Sequence, residues 1–381
     1  MSQSATTVRA TIVRARAPLR LGLAGGGTDL SPYCDEHGGA VLNSTIARYA
    51  HASIAPSPDG LVRFVAQDIE VEESFACTPQ DVVRAKLAIH AGVWRRMVDQ
   101  FCGGVPQAWT ITTHVDAPPG SGLGSSSALA VALVEAFRTR LRLPLGLYDV
   151  ARLAYEIERI DLGLAGGKQD QYAAAFGGTN FMEFLPAERV IVNPLRVSRE
   201  HMNELESALV TCFTGVSRRS EQIIEEQQRR MARPGGTEVE SLHQLKRDAI
   251  DMKQALLRGE IGALAEILNR SWLAKQRTAS GISTERIDML FRVAMEAGAV
   301  AGKVSGAGGG GFIMFLAPPE ARVRLIRALE AVGGAASQVQ FTDRGAESWE
   351  VPLAAAPDQA TRAGSADSST SSSRAKTPSQ A

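Results

Sequence analysis

Between Asp116 and Ala128 the chain reads Asp-Ala-Pro-Pro-Gly-Ser-Gly-Leu-Gly-Ser-Ser-Ser-Ala, and these residue types suit a polyphosphate. Pro118 and Pro119 fix φ and force an extended entry. Gly120, Gly122 and Gly124, spaced by Ser121 and Leu123, remove side chains that would hold a ligand off the backbone. The run after Ala128 is rich in strong helix formers. A helix starting near Ser125 and Ser126 turns unpaired N–H groups and a positive dipole end toward the loop, which makes an anion site. The hydroxyls of Ser125, Ser126 and Ser127 offer oxygen ligands to a hard cation travelling with the phosphates. No lysine follows the glycines, which excludes a Walker A loop, and Gly-x-Gly-x-Gly is not a dinucleotide fingerprint. Taken locally, a turn that caps a core helix is the other reading.

Three more stretches carry chemical groups. Arg14 to Leu23 reads as a strand that contains Arg20 and runs into Ala24-Gly-Gly-Gly-Thr-Asp29, a loop that must bring Gly26, Gly27, Thr28 and Asp29 close to something. Gly163 to Gly178 is a loop, a short helix and a stop, with Lys168 and Asp170 inside it. Gly306-Ala-Gly-Gly-Gly-Gly311, which includes Gly308, matches Gly-x-Gly-x-x-Gly, but the Phe312-Ile-Met-Phe-Leu that follows is a strand and not a helix, so a nicotinamide site is set aside.

These groups need a scaffold, and the chain has one. Val41 to Ile54, Leu61 to Ala66 and Trp109 to Val115 pattern as strands. Asp81 to Phe101 patterns as an amphipathic helix with Val83, Leu87, Trp94 and Val98 on one face. A helix capped by Asp149 turns Leu153, Ala154 and Ile157 inward and leaves Glu156 and Glu158 on its flanks. Strands follow at Thr179 to Phe184, Val190 to Leu195 and Leu209 to Thr214, and from Val216 to about Ala297 the pattern is helical, broken at Pro234-Gly-Gly-Thr. Lys303 to Leu316 is a glycine run feeding a strand, then come a helix over Glu320 to Ala331 and strands near Gln338 to Phe341 and Trp349 to Val351. The expected domains are 13–195 and 196–352, with a flexible N-terminus over 1–12 and a disordered tail over 353–381, whose Ala, Ser, Thr and Pro bury too little to offset chain entropy.

At 381 residues the chain is long enough for two domains with a sizeable core. Lys plus Arg (41) equals Asp plus Glu (41), so no global field steers it to nucleic acid or a membrane surface. Four scattered cysteines without Cys-x-x-Cys argue against a disulfide framework or a zinc site and suit a reducing compartment. Without a long apolar run or a secretion signal, the expectation is a cytoplasmic protein.

Taken together, Arg16-Ala-Pro-Leu-Arg-Leu-Gly-Leu-Ala-Gly-Gly-Gly-Thr-Asp29, Pro118 to Ala128 and Lys303-Val-Ser-Gly-Ala-Gly-Gly-Gly-Gly311 resemble, in order, the three motifs of the GHMP kinases, the superfamily of galactokinase, homoserine kinase, mevalonate kinase and phosphomevalonate kinase. The resemblance spans residue 14 to about 350. It implies an α+β fold of two domains, the first with a left-handed βαβ crossover, the second ferredoxin-like, with ATP and acceptor between them. It also implies roles. Pro119 to Ser127 are the ATP-phosphate loop; Ser126 and Glu158 are Mg²⁺ ligands; Asp170 is the catalytic base, with Arg20 beside it; Asp29 holds sugar hydroxyls, and the loop around it, with Gly308, meets the acceptor. Lys168 is the candidate reader of an acceptor phosphate, with ATP phosphate as its rival ligand. Phosphoryl transfer asks for charge neutralisation and in-line placement more than covalent help, and this set supplies both. Without the resemblance each residue has a plainer reading: Glu158 as a solvated helix flank, Asp170 as a helix cap, Arg20 as a rim charge, Asp29 as a turn residue and Lys168 as a solvated loop lysine.

Galactokinase has Gly-Glu-His where this chain has Gly25-Gly-Gly27, which removes an acid and an imidazole beside the sugar. The form Leu-Gly-Leu-Ala-Gly-Gly-Gly-Thr-Asp-Leu-Ser-Pro-Tyr, with Gly-Gly-Lys-Gln-Asp-Gln-Tyr, is most similar to the D-glycero-D-manno-heptose 7-phosphate kinases, which phosphorylate an anomeric hydroxyl in routes to GDP-heptose. The expected partners are therefore ATP, Mg²⁺ and a sugar phosphate, with no nucleic acid or membrane. A kinase of a neutral sugar such as L-fucose, and a catalytically silent sugar sensor on the same fold, are the alternatives.

Overall fold

The structure, a computed structural model, describes residues 11–216, 220–231 and 237–353. Two long strands, β1 (Thr11–Ala24) and β2 (Gly39–Pro56), run antiparallel and flank α1 (Tyr33–His37). Along β1, Val13 and Ala15 are buried between more open neighbours, the period of a strand with one face on a core, and from Ala17 to Ala24 every residue is buried, as in a strand covered on both faces. β3 (Leu61–Ala66) and β4 (Val71–Ala76) form a hairpin, and α2 (Pro79–Val82), α3 (Ala88–Phe101) and β5 (Trp109–Val115) follow.

The helix expected over Asp81–Phe101 is thus two. Thr78 Oγ1 accepts the Asp81 N–H (3.3 Å) at the start of α2, and the Glu73 carboxylate on β4 accepts the N–H groups of Lys86 and Leu87 (3.0 Å each) just ahead of α3. That capping comes from a side chain 13 and 14 positions away, so local periodicity cannot show it. Val83, expected on the inner face, is 55% exposed in the break.

Next come α4 (Ser125–Arg140), α5 (Leu147–Glu156) and α6 (Gln169–Phe176), then β6 (Thr179–Leu185) and β7 (Arg189–Pro194). From Ala130 to Phe137 every residue of α4 is buried, including Glu135, which pairs with Arg138; a helix apolar almost all round is a core helix. Helices α7 (Arg199–Ala208), α8 (Ser220–Met231), α9 (Thr237–Arg258), α10 (Ile261–Gln276) and α11 (Glu285–Glu296) are interrupted by β8 (Leu209–Phe213), which follows α7. The chain continues through β9 (Ala301–Val304), β10 (Phe312–Leu316), α12 (Arg322–Ala331), β11 (Ala335–Gln338) and β12 (Glu347–Pro352).

Two sheets result. The larger has the order β12-β1-β2-β5-β3-β4, with β6 on β2 and β7 on β6, and β3–β5 is its parallel pair among the described strands. The smaller is antiparallel, β11-β8-β10-β9. Its strand β10 is buried on both faces: Ile313 and Phe315 join a core with Leu290, Leu325 and Leu329 of α11 and α12, while Met314 and Leu316 join the larger core with Leu264 and Leu268 of α10. The expected α+β, two-domain architecture is present. Sequence order misplaced its last strand: β12 pairs with β1 from Thr11↔Pro352 to Arg16↔Glu347, so it belongs to the first sheet and not with 196–352. The supposed flexible N-terminus also gives up Thr11 and Ile12 to β1. The expected tail beyond Leu353, residues 1–10, and Pro234 with its two glycines lie outside the described residues.

Candidate active site

A cavity of about 560 Å³ opens between the two sheets' elements, and three glycine loops form much of its wall. In the loop before α4, Gly120, Gly122 and Gly124 have φ of 70°, 77° and 74°, the left-handed region open to glycine. A Cβ at Gly122 would overlap the Ser305 carbonyl, and one at Gly311 would overlap the Ser121 carbonyl. The loop is therefore pressed against the third glycine run. Ser305 Oγ donates to Gly122 O (2.9 Å), Phe312 N to Ser121 O (2.9 Å) and Arg20 N to Leu123 O (3.0 Å), which ties it to β9, β10 and β1. Helix α4 begins at Ser125, with exposed Ser126 at its open end.

Pro119, Gly120, Gly122, Gly124, Ser125, Ser126 and Ser127 line the cavity. Ser121 and Leu123 do not; they are buried and serve the packing beneath. This is the geometry of an anion site, with a helix N-terminus and close backbone facing open space.

Glu158 is not on a solvated flank. Helix α5 widens after Glu156 into a π turn over Ile157–Asp161, and Glu158 inside it is fully buried. A wider turn changes the direction in which the next residues project. Glu158 Oε1 accepts from Ser126 Oγ (2.8 Å) and Oε2 from Gln171 Nε2 (2.6 Å), while the nearest guanidinium, Arg159, stands 3.9 Å away. A buried carboxylate with so distant a cation is costly unless another positive charge arrives. Arg159 also donates to Leu164 O (3.3 Å), Gly167 O (3.4 Å) and Ser127 Oγ (3.4 Å), and so shapes the loop ahead of α6.

Asp170 does not cap α6, which starts one residue earlier; it faces Arg20. Its Oδ1 accepts from Arg20 Nε (2.7 Å) and Nη2 (2.6 Å), and Arg20 Nη1 donates to Gly122 O (2.6 Å). Arg20 is 5% exposed, so it is no rim charge, and both residues line the cavity beside the loop before α4.

Asp29 is 2% exposed and held on both oxygens: Oδ1 accepts from Gly27 N (3.1 Å) and Gln169 Nε2 (3.0 Å), Oδ2 from Gln169 N (3.1 Å). A Cβ at Gly167 would overlap its carboxylate, so that glycine is required by proximity. Gly26, Gly27 and Asp29 line the cavity, whereas Thr28 is buried and spans Gly25 O (2.8 Å) and Ala40 O (2.9 Å).

Two expectations move. Lys168 does not line the cavity: it is 3% exposed and held by the carboxylates of Glu188 (2.9 Å) and Asp35 (3.8 Å). Gly308 also lies off the cavity. A Cβ there would stand 2.8 Å from Ile282, and Gly309 N donates to Ile282 O (2.8 Å), so this glycine packs against the segment before α11.

In their place stand two lysines that sequence reasoning passed over. Lys275 on α10 donates to Gly26 O (3.3 Å), and Lys303 on β9 to Gly22 O (3.0 Å) and Leu23 O (3.4 Å). Both line the cavity. Burial pushes their ammonium groups down to about 8 and about 7; Asp29 opposes this for Lys275, and Lys275 and Arg20 add to it for Lys303. Lys303 opens the third glycine motif, a signal that was available; Lys275 sits in an ordinary helical pattern and gave none.

Among the described residues no three His, Cys, Asp or Glu side chains cluster as a metal site, and no helix is long and apolar enough to cross a membrane. A cation here would take Ser126 and Glu158 and draw its other ligands from phosphate and water, as a small hard ion does.

Comparison with known proteins agrees with this layout. Residues 88–178 match the model of the GHMP kinases N terminal domain, and 252–335 that of the GHMP kinases C terminal. A D-glycero-alpha-D-manno-heptose 7-phosphate kinase of Campylobacter jejuni is 42% identical over 339 residues, 89% of this chain and 99% of the relative. The bifunctional fucokinase/GDP-fucose pyrophosphorylase of Arabidopsis thaliana is 27% identical over 81% of this chain but only 30% of its own length. Among solved structures, a D-glycero-D-manno-heptose 1-phosphate kinase from Bacteriodes thetaiotaomicron superposes with a TM-score of 0.76 at 44% identity, covering 89% of this chain and 99% of its own. Lactococcus lactis galactokinase complexed with galactose, at 17% identity and a TM-score of 0.67 over 90% and 95% of the two chains, shares the fold. With both family models matched in order and a relative 42% identical along almost its whole length, the chain belongs to the GHMP kinases, as an ATP-dependent sugar kinase.

Proposed function

We propose that this kinase phosphorylates the anomeric hydroxyl of D-glycero-D-manno-heptose 7-phosphate, giving the 1,7-bisphosphate on a route to GDP-heptose. The observation that carries the chemistry is the ion pair of buried Arg20 with half-buried Asp170, set beside the phosphate loop in one cavity. The choice of acceptor rests on the relative at 42% identity, which is named for that sugar phosphate.

The residues divide the work. Backbone N–H groups of the cavity-lining residues Gly120, Gly122 and Gly124 to Ser127, with the α4 dipole, hold the ATP phosphates. Ser126 Oγ and Glu158 Oε1 lie 2.8 Å apart. A hydroxyl beside a buried carboxylate with no close cation would suit Mg²⁺, which takes hard oxygen ligands and completes its set from phosphate and water. When bound there, the ion neutralises charge on the transferring phosphoryl group. Asp29 and Gln169 position the acceptor's hydroxyls. Asp170, whose Oδ1 is occupied by Arg20, accepts the proton of the attacking hydroxyl on Oδ2. The hydroxyl oxygen bonds to the γ-phosphorus, the bond to the β-phosphate oxygen breaks, and ADP leaves. Asp170 returns the proton to solvent.

The second reading, a neutral sugar such as L-fucose, is supported by the match to the plant fucokinase. Turnover with ATP across D-glycero-D-manno-heptose 7-phosphate, unphosphorylated heptose and L-fucose, with products identified by phosphorus NMR, separates the two. A preference for either neutral sugar would overturn the heptose 7-phosphate proposal.

A further inference from the structure

We propose that Lys275 and Lys303 together form a phosphate-monoester subsite that takes the acceptor's own phosphate, an inference that rests on the acceptor being a sugar phosphate.

Each lysine is 3% exposed, yet both line the cavity. Among the described residues neither has an ion-pair partner; their contacts are the carbonyls of Gly22, Leu23 and Gly26. An ammonium has three donors. Lys275 uses one of its three and Lys303 two, so three N–H groups remain between them for a ligand. The charged groups near them are Arg20, Asp29 and Asp248, and the two lysines also repel each other. Asp29, held by neutral donors of Gly27 and Gln169, keeps its charge and partly offsets that of Lys275, while Asp248 is bound by Arg270 (2.7 Å). Two buried lysines with one nearby carboxylate and no ion-pair contact are short of negative charge, a standing cost that an oxyanion between them removes.

Position argues for the acceptor's phosphate over ATP's. The nucleotide loop meets β1 at Arg20, through Gly122 O and Leu123 O. The lysines address β1 further on, at Gly22 and Leu23, and the turn at Gly26. On β9, Lys303 lies two residues before Ser305, which binds the nucleotide loop. Two residues along a strand are roughly 7 Å. An acceptor lying against Asp29 can then present its hydroxyl to Asp170 at one end and its phosphate to the lysines at the other. Lys168, first expected in this role, is spent on Glu188.

The test uses the full-length enzyme with Lys275→Met, which removes the charge and keeps the length, and Lys275→Arg, which keeps the charge. For Lys275→Met, KM for heptose 7-phosphate should rise ~10-fold or more, the scale of one charged hydrogen bond, while KM for ATP stays within about twofold. Its preference for the phosphorylated over the unphosphorylated heptose should shrink by the same factor, and Lys275→Arg should recover most of it. Independently, inorganic phosphate titrated into protein saturated with a non-hydrolysable ATP analogue should bind at least ~10-fold more weakly to Lys275→Met than to wild type. Unchanged KM and unchanged phosphate binding in Lys275→Met would overturn the subsite, as would a KM rise confined to ATP. Wild-type enzyme that uses both heptoses equally would instead defeat the sugar-phosphate reading, and the phosphate titration would still decide the subsite.

Discussion

Asp170→Asn separates chemistry from structure, because the two carboxylate oxygens face different partners. Oδ1 takes both Arg20 nitrogens, and Oδ2 lies toward Gly124 at the cavity wall. The amide keeps its oxygen on Arg20, so its NH₂ replaces Oδ2 and a proton acceptor becomes a donor. Loss of a general base costs ~10²–10⁴ in kcat, or ~3–5 kcal/mol of barrier. Breaking a buried ion pair outright costs ~3–5 kcal/mol. Here the cost is smaller, because the amide oxygen still accepts from Arg20, Arg20 keeps Gly122 O, and the Asp170 side chain is 21% exposed. About 1–2 kcal/mol of stability is the expected loss. Coupled ADP-release kinetics, nucleotide titration and calorimetry read the three terms. The expected pattern is kcat down ~10²-fold or more, ATP binding within a few-fold of wild type, and a modestly lower Tm. A folded variant with kcat within tenfold of wild type would refute Asp170 as base, and so would a kcat loss matched by an equal loss of ATP binding.

Ser126→Ala and Glu158→Gln should each lower turnover and raise the Mg²⁺ concentration for half-activity, and unchanged Mg²⁺ dependence in both would remove them as ligands. Gly122→Ala should cost ATP affinity ~10-fold or more, because its Cβ meets the Ser305 carbonyl; Gly60→Ala, with φ of 76° and nothing within 4 Å, should cost only the ~1–2 kcal/mol of a left-handed residue and leave ATP binding alone. If the two variants behave alike, the loop contact is not what requires the glycine. Burial lowers His90 to about 4 from 6.5, against the pull of Glu73. Between those values the unfolded chain binds a proton that the folded chain does not, so stability should fall as pH drops through that window, by up to about 3 kcal/mol. Denaturant melts of wild type and His90→Gln should diverge in pH slope there, and parallel slopes would show that His90 is not the group responsible.

Much of the site was legible because backbone conformation is a local property. Gly120, Gly122 and Gly124 announce left-handed φ, Ser125 to Ser127 announce a helix start, Asp29 stands in the first of the three motifs whose order carries the family, and Asp170 in the Lys-Gln-Asp-Gln stretch that matches it. The alternation of β3 and β5 likewise follows from residues two apart. What the sequence left open is every contact whose partners are far apart in it. Arg20 and Asp170 are 150 positions apart, and only packing of α6 against β1 makes them a pair. Glu158 is inward because a π turn re-aims it, and Lys168 is buried away from the cavity because Glu188 and Asp35 claim it. Strand β12 returns to β1 across the whole chain, which no domain boundary drawn in sequence order can express. Lys275 had the least local signature, since burial of a lysine is set by which helix face the tertiary fold covers, and here that face closes the cavity.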